Sequence, residues 1–208
     1  MNRRFLFWDV DTQYDFMDPE GKLPVPDARS IVPNLERLTR FAEAHRIPII
    51  SSADAHPPDD PEFEEFGAHC VMGARGQKKI DAALVRGAEV VVPEYLDAQI
   101  SRLSVGRTPQ LIIEKQELDV FSVPAAGHIL SRREPHRVFV YGVATEYCVL
   151  RTVMGLLNRG IAVTVCTDAV RAIDRTKGER ALAGMREAGA DLAETEAVLE
   201  RVEATLRA

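Results

Sequence analysis

The chain has 208 residues, of which 46% are apolar, 28% are charged and 6% are aromatic. We predict one folded domain over residues 1–208, because a chain of this length buries roughly 70% of the surface that its unfolded state exposes. The net charge of −6 argues against a nucleic-acid-binding protein, which needs a basic excess. No apolar run approaches the roughly 18 residues of a membrane span. Three cysteines are too few for a disulfide framework, so we expect a cytoplasmic protein.

Short apolar runs alternate with helical patterns along the chain. The runs predict strands at residues 5–10, 47–51, 90–92, 111–113, 137–143 and 162–166. Apolar spacing predicts helices over residues 27–45, 123–133, 145–159, 179–188 and 195–206. This alternation is typical of a three-layer αβα fold, in which helices cover both faces of a mostly parallel, here six-stranded, sheet. The stretch 52–76 fits neither pattern, and a long irregular loop inside a compact domain is usually functional.

Polar side chains that could take part in catalysis or ligand binding follow several of the predicted strands. Ligands of an open parallel sheet bind beyond the carboxyl ends of its strands. Asp9, Asp11 and Asp15 lie at or after the end of the first strand, Lys115 follows the fourth, and Cys148 follows the fifth. We therefore expect these groups, which are far apart in sequence, to share one edge of the sheet.

Cys148 is the candidate nucleophile. Thr145 is suited to cap a helix, which would place Cys148 in the first helical turn. The helix dipole and the free backbone N–H groups at that position lower a thiol pKa and can stabilise an oxyanion. The alternative is that Cys148 is a small buried apolar residue, as many cysteines are.

Asp11 and Lys115 could activate this thiol. An aspartate can take the thiol proton, and a nearby lysine keeps that carboxylate ionised. Asp9 and Asp15 compete for the same role, and the spacing does not choose among the three. A turn-capping aspartate and a solvated lysine at a strand end are the alternatives. Phe16 falls just past the first strand, where its ring could stack on a ring-shaped substrate.

A candidate metal site lies in the irregular loop. Asp54, His56 and His69 offer one carboxylate and two imidazoles, a set that suits a divalent metal: zinc first, with manganese or iron as alternatives. Three protein ligands leave positions open for water or substrate, as in catalytic metal sites. Cys70 could be a fourth ligand, although adjacent residues rarely both reach one ion. The alternative is that all of these are solvated loop residues.

Two segments of the sequence resemble the isochorismatase-like cysteine hydrolases. Residues 10–16, VDTQYDF, are similar to the D-x-Q-x-D-F opening of that family. Residues 142–148, GVATEYC, are similar to the segment that carries its nucleophile. The D-x-H at residues 54–56 and the H-C pair at residues 69–70 resemble the ligand set of its metal-binding branch, the nicotinamidases and pyrazinamidases.

This resemblance implies a role for each candidate residue. Asp11 would be the general base, Lys115 its charge partner, and Cys148 the nucleophile that forms a thioester. The backbone N–H groups of Ala144 and Cys148 would form the oxyanion hole. The family pattern also implies a cis peptide bond between Val143 and Ala144.

The resemblance further implies a metal-assisted amidohydrolase. A divalent metal on Asp54, His56 and His69 would bind a ring nitrogen and orient the amide. The chain would then hydrolyse a small cyclic amide such as nicotinamide to the acid and ammonia, and would form a homo-oligomer. Ala55 stands where nicotinamidases commonly have an aromatic residue. This departure keeps open another substrate of the family, namely a ureido or carbamoyl compound or isochorismate.

Two hypotheses lie outside this chemistry. Asp9 and Asp11 superficially resemble the D-x-D start of the haloacid-dehalogenase phosphatases, but Gln13 stands where that family has Thr or Val. A phosphatase would also leave the thiol and the histidines of the loop without a role. A binding protein without catalytic activity is the other hypothesis, because a fold by itself does not establish an activity.

Overall fold

The computed structural model of the protein describes residues 5–92 and 108–207; residues 1–4, 93–107 and 208 of the predicted domain lie outside these ranges. The strands are β1 (Phe5–Val10), β2 (Ile49–Asp54), β3 (Glu89–Val91), β4 (Gln110–Lys115), β5 (Arg137–Val143), β6 (Ala162–Arg171) and β7 (Asp191–Ala193). They form one sheet in the order β3-β4-β2-β1-β5-β6-β7, and each neighbouring pair is parallel. The predicted αβα architecture is confirmed, with one strand more than the six predicted.

β7 is the strand that the sequence prediction missed. It has three residues, lies at the edge of the sheet and pairs with β6, where Thr164 stands opposite Asp191. Its residues are half-buried or exposed, so they form no apolar run. Three other strands extend further than predicted, since β2 continues to Asp54, β4 to Lys115 and β6 to Arg171.

Helices and helical turns cover both faces of the sheet. The α-helices are α1 (Tyr14–Met17), α2 (Val32–His45), α3 (Phe63–Phe66), α4 (Pro124–Arg133), α5 (Leu150–Leu157), α6 (Arg175–Glu187) and α7 (Thr195–Arg207). The helix predicted from residue 145 has two parts, because Thr145–Val149 is a π-helical turn that leads into α5. α6 begins four residues before the predicted start, where the Asp174 side chain caps it by accepting the N–H of Lys177. Among the described helices, none is long and apolar enough to cross a membrane.

The central strand β1 is buried along its whole length and directs alternate side chains to two apolar cores. Leu6, Trp8 and Val10 join the core beneath α4, α5 and α6. Phe5 and Phe7 join the core beneath α2 and α7. Because burying one large apolar side chain contributes about 1.5–3 kcal/mol, β1 is firmly held. The residues directly after β1 therefore start from a fixed position.

The strand order reverses between β1 and β5. β2, β4 and β3 lie on one side of β1, and β5, β6 and β7 lie on the other. A crevice forms beyond the carboxyl ends of the strands at such a switch point, and ligands bind there. Asp11 follows β1 and Cys148 follows β5, so the two residues flank this crevice.

Candidate active site

Asp11, Lys115 and Cys148 meet at the carboxyl edge of the sheet. The Lys115 ammonium nitrogen lies 3.0 Å from Asp11 Oδ2 and 3.5 Å from Cys148 Sγ. The three residues are only 1%, 0% and 4% exposed, respectively. The structure thus brings a carboxylate, an ammonium group and a thiol into contact in a nearly dry environment.

The two competitors of Asp11 are occupied elsewhere. Asp9 Oδ2 pairs with the ammonium group of Lys79 at 3.0 Å. Asp15 Oδ2 accepts the backbone N–H of Cys70 at 2.8 Å, which fixes the loop ahead of β3. Of these three aspartates, Asp11 is the one that lies beside the candidate nucleophile. One of its carboxylate oxygens is within 4.8 Å of the Cys148 sulfur.

Burial dominates the acid–base properties of this group. Burial raises the pKa of the Cys148 thiol well above its ordinary value, although the Lys115 ammonium opposes the shift. Burial also raises the pKa of the Asp11 carboxyl. For Lys115, burial is outweighed by the Asp11 and Asp54 carboxylates, which raise its pKa well above the usual range. The expectation that a helix N-terminus lowers the thiol pKa is therefore wrong, since desolvation outweighs that effect here.

A π-helical turn, and not the first turn of a regular α-helix, presents Cys148. Such turns are frequent at functional sites. The peptide bond between Val143 and Ala144 is cis, as the resemblance implies. Gly142, with φ at +117°, lies so close to β1 that an added Cβ would overlap the Val10 carbonyl oxygen. The close approach of β5 to β1 therefore requires glycine just before the turn.

A small cavity lies beside Cys148. Aromatic and aliphatic side chains form much of its wall, among them Phe16, Phe66, Leu118, Tyr147 and Ile173. The wall thus includes Phe16, the ring predicted for substrate stacking, and also Phe66, which the sequence did not indicate. Ala55 is buried and does not line the cavity.

Asp54, His56 and His69 form a second group at the same edge. Their potential ligand atoms lie within 4.8 Å of one another, and all three side chains are buried. His56 Nε2 is buried without a hydrogen-bond partner, 3.9 Å from Asp54 Oδ2. Each imidazole is held through Nδ1, by Asp60 at 2.9 Å and by the Gly67 carbonyl at 2.8 Å. This arrangement leaves Nε2 available to a cation, as in metal sites, so these residues fit a divalent metal.

Asp54 belongs to both groups. One of its oxygens contacts the Lys115 ammonium, and the other faces His56. Although burial opposes its ionisation, Lys115 and His56 lower the pKa of Asp54 to about 2. Burial also opposes the positive form of His56, but the neighbouring Asp54 and Asp60 carboxylates raise its pKa to about 9. The local field therefore favours a positive charge between Asp54 and His56.

Two polar residues of the site were not predicted. Gln13 is buried, and its side-chain amide donates to the Asp54 carbonyl and accepts from the Asp54 N–H, both at 2.7 Å. Glu62 lines the cavity, and one of its oxygens lies 4.0 Å from His69 Nε2. Burial raises the pKa of the Glu62 carboxyl. Gln13 was visible in the opening motif without a role, whereas no sequence signal singles out Glu62 in its acidic loop.

The other two cysteines lie outside these groups. Cys70 is buried, and its sulfur lies 4.0 Å from the Gly76 carbonyl oxygen. It is not part of the metal-ligand cluster found among the described residues. Cys166 is fully buried in the core beneath α2 and α7. Both therefore pack as small buried side chains.

The family assignment comes from comparison with known proteins. A model of the isochorismatase domain matches residues 9–197. The chain belongs to the isochorismatase family. The matched range of that family contains every residue of both groups described above.

Relatives of this isochorismatase-family chain include several amidases. The nicotinamidase of Escherichia coli strain K12 is 28% identical over 192 residues, which cover 79% of this chain and 82% of that protein. The pyrazinamidase of Pyrococcus horikoshii in complex with zinc has a TM-score of 0.74 and 29% identity, covering 92% of this chain and 99% of that chain. The N-carbamoylsarcosine amidase of Thermoplasma acidophilum has a TM-score of 0.72 and 23% identity, and the match covers 92% of this chain and 96% of that chain. The chain is thus a hydrolase of the isochorismatase family.

Proposed function

We propose that the protein is a cysteine-dependent amidohydrolase that cleaves a small uncharged cyclic amide, with nicotinamide as the first candidate, to the acid and ammonia. The observation that carries this proposal is the buried contact of Lys115 with both Asp11 and Cys148 beside a small cavity. A nucleophile, a base and a cation in mutual contact are the set that acyl transfer requires.

The first half of the reaction forms a thioester. Asp11 accepts the thiol proton as Cys148 Sγ attacks the amide carbon. Burial raises the pKa of the Cys148 thiol, so the attack needs a base beside the sulfur, and Asp11 would supply it. The Lys115 ammonium stabilises the negative charge shared by the carboxylate and the sulfur. Asp11 then donates the proton to the leaving nitrogen, and ammonia departs.

The second half of the reaction breaks the thioester. Asp11, again a carboxylate, takes a proton from water, and the water oxygen attacks the acyl carbon. The thiol is regenerated and the acid is released. In both halves the backbone N–H groups of Ala144 and Cys148, two residues that line the cavity, would stabilise the oxyanion.

Asp54, His56 and His69 would hold a divalent metal in this scheme. When bound, the metal supplies a Lewis acid that orients an electron-pair donor of the substrate, with zinc as first choice and manganese or iron as alternatives. Glu62 would offer a further oxygen on the cavity side. Asp54 also touches Lys115, so the ligand group and the reacting group are joined through one side chain.

The lining of the cavity favours an uncharged substrate. Its acidic members are Asp11, Asp54 and Glu62, and no lysine or arginine of the described ranges lines it. Proteins commonly hold carboxylate ligands with arginine, through paired hydrogen bonds. A neutral ring amide therefore fits this cavity better than isochorismate or another carboxylate.

An uncharged ureido or carbamoyl compound is the second candidate. Ala55 leaves no aromatic ring between Asp54 and His56, so ring stacking would depend on Phe16, Phe66 and Tyr147. A substrate without a ring would not need the missing aromatic side chain. Three further properties, namely one domain over residues 1–208, a homo-oligomer and a cytoplasmic location, stay predictions from the sequence.

The test measures ammonia release from nicotinamide by the unmodified protein, before and after treatment with a chelator. The Cys148→Ala variant is measured in the same way. Release that needs both the thiol and the metal would support the proposal. Hydrolysis that persists in Cys148→Ala would contradict the mechanism. If the metal binds and Cys148 is readily alkylated but no ammonia appears, nicotinamide is rejected, and other uncharged amides are tested next.

A further inference from the structure

The loop after β2 places a second carboxylate directly behind the ligand cluster. The Asp60 side chain is 9% exposed, and its Oδ2 lies 2.9 Å from His56 Nδ1. Its Oδ1 accepts the backbone N–H of Glu62 at 2.9 Å. The Asp60 carbonyl also accepts the N–H of Phe63, the first residue of α3. Asp60 thus joins one imidazole of the cluster to the start of a helix.

We propose that Asp60 is a positioning residue for the candidate metal site. Its carboxylate holds His56 in the tautomer that carries the proton on Nδ1, which leaves the Nε2 lone pair free for a divalent cation. This inference rests on the metal site of the proposed function. It is supported by His56 Nε2 itself, which is buried without a hydrogen-bond partner and lies 3.9 Å from Asp54 Oδ2.

The two neighbours of Asp60 explain why a carboxylate is needed there. The Glu62 backbone N–H is always a donor, and His56 Nδ1 must be a donor when Nε2 binds a cation. A carboxylate accepts on both oxygens, whereas an asparagine amide offers one acceptor and one donor. The side chain of an Asp60→Asn variant could therefore satisfy one of the two neighbours but not both.

The other imidazole is oriented in a different way. His69 Nδ1 lies 2.8 Å from the backbone carbonyl of Gly67, a contact that no side-chain substitution removes. Between the two histidines, the orientation of His56 is thus the one that depends on a side chain. Residues that orient metal-binding histidines typically change metal affinity 10- to 100-fold when mutated, which sets the expected size of the effect.

The test compares Zn²⁺ affinity among the unmodified protein, Asp60→Asn, Asp60→Ala and the control Asp59→Asn. Asp59 is the exposed neighbour, so the control removes the same charge one residue away. Affinity is measured by competition with a chromophoric chelator, and thermal unfolding of the metal-free protein reports on folding. We expect both Asp60 variants to lose about 10- to 100-fold in affinity and Asp59→Asn to lose none.

Four other outcomes separate the inference from its alternatives. If Asp60 only stabilises the start of α3, the Asp60 variants unfold at a lower temperature with unchanged Zn²⁺ affinity, and the inference is overturned. An equal loss in Asp59→Asn would also overturn it, because the effect would then be one of net charge. If Zn²⁺ binds and the Asp60 variants lose Zn²⁺ affinity as expected, but no ammonia is released from nicotinamide, the proposed substrate is rejected. The role of Asp60 is supported in that case. An unmodified protein that binds no Zn²⁺ would overturn both.

Discussion

The Lys115 ammonium nitrogen lies 3.5 Å from the Cys148 sulfur, in a part of the protein that excludes water almost completely. The same ammonium is paired with Asp11 at 3.0 Å and contacts Asp54. Charges interact more strongly in such an environment than at a surface. The ionisation of the thiol and of both carboxylates therefore depends on one lysine.

Replacing Lys115 with methionine should therefore damage both stability and activity. The substitution leaves two buried carboxylates without their cation, and breaking a buried ion pair costs about 3–5 kcal/mol of unfolding free energy. Urea unfolding at pH 7 measures this loss, and amide hydrolysis should fall to background. Lys78→Met, at an exposed lysine, is the control and should change stability by less than about 0.5 kcal/mol. A stable and active Lys115→Met protein would refute this account of the site.

Removing the candidate nucleophile should abolish hydrolysis without unfolding the protein. Cys148→Ala is expected to lower kcat by on the order of 10³-fold or more, because binding and the oxyanion hole alone leave little catalysis. Cys166→Ala also removes a buried thiol, but from the opposite core, and should remain active. Steady-state kinetics measures the activity of both variants. Iodoacetamide should still alkylate Cys148 in Cys166→Ala and finds no thiol at that position in Cys148→Ala. Comparable activity in the two variants would contradict the assignment of the nucleophile.

Metal removal should lower both the melting temperature and the activity. A ligand that binds the folded state at 100 times its Kd stabilises that state by about 2.7 kcal/mol, and chelation removes this contribution. His69→Gln should reproduce the effect and show little further response to chelator. His136→Gln, at an exposed histidine, is the control. Thermal unfolding with and without added Zn²⁺ measures the shift, and identical curves would argue against the site.

Two glycine-to-alanine substitutions should change stability in opposite directions. Gly142 has φ at +117° and no room for a Cβ beside the Val10 carbonyl, so Gly142→Ala should destabilise the protein by more than about 3 kcal/mol. Gly184 is exposed within α6 and has open space around it. Gly184→Ala should therefore stabilise the protein by about 0.5–1 kcal/mol through helix propensity. Chemical unfolding measures both changes, and equal effects would contradict the close approach of β5 to β1.

Stability should fall at alkaline pH through the buried thiols. Burial, aided by the Asp168 charge, raises the pKa of Cys166 above its ordinary value. The thiol ionises near pH 8.5 in the unfolded chain but stays protonated in the folded protein, so its contribution is complete below about pH 8.5 and declines above it. One such group contributes a slope of up to about 1.4 kcal/mol per pH unit. Cys166→Ala should show a shallower decline in urea unfolding under reductant, and an unchanged slope would contradict the shift.

Buried strands were predicted from the sequence more accurately than the exposed edge strand. β1 and β5 lie at the centre of the sheet, and burial on both faces makes each of them a continuous apolar run. β7 is short, partly exposed and formed by pairing with β6, so its residues carry no such pattern. The π-helical turn before α5 also escaped prediction, because five residues are too few for their spacing to be distinguished from that of an α-helix.

The candidate site was predictable where it depends on strand ends and unpredictable where it depends on the loop. Asp11, Lys115 and Cys148 lie at or just after the ends of parallel strands, whose carboxyl ends necessarily meet at one edge. Asp60 and Glu62 reach the histidines because of how the loop folds back, which no periodic pattern encodes. The direction of the thiol pKa was wrong for a similar reason, since burial is a property of the assembled fold.

The separate origins of the two groups have an evolutionary consequence. The candidate catalytic residues Asp11, Lys115 and Cys148 come from the ends of β1 and β4 and the segment after β5, whereas both imidazoles and the Phe66 ring come from the one loop that follows β2. Under the proposed function, substitutions in that loop would alter substrate recognition and leave the catalytic residues in place. A scaffold divided in this way can acquire new specificities step by step, and the loop is the natural unit to exchange when redesigning the enzyme.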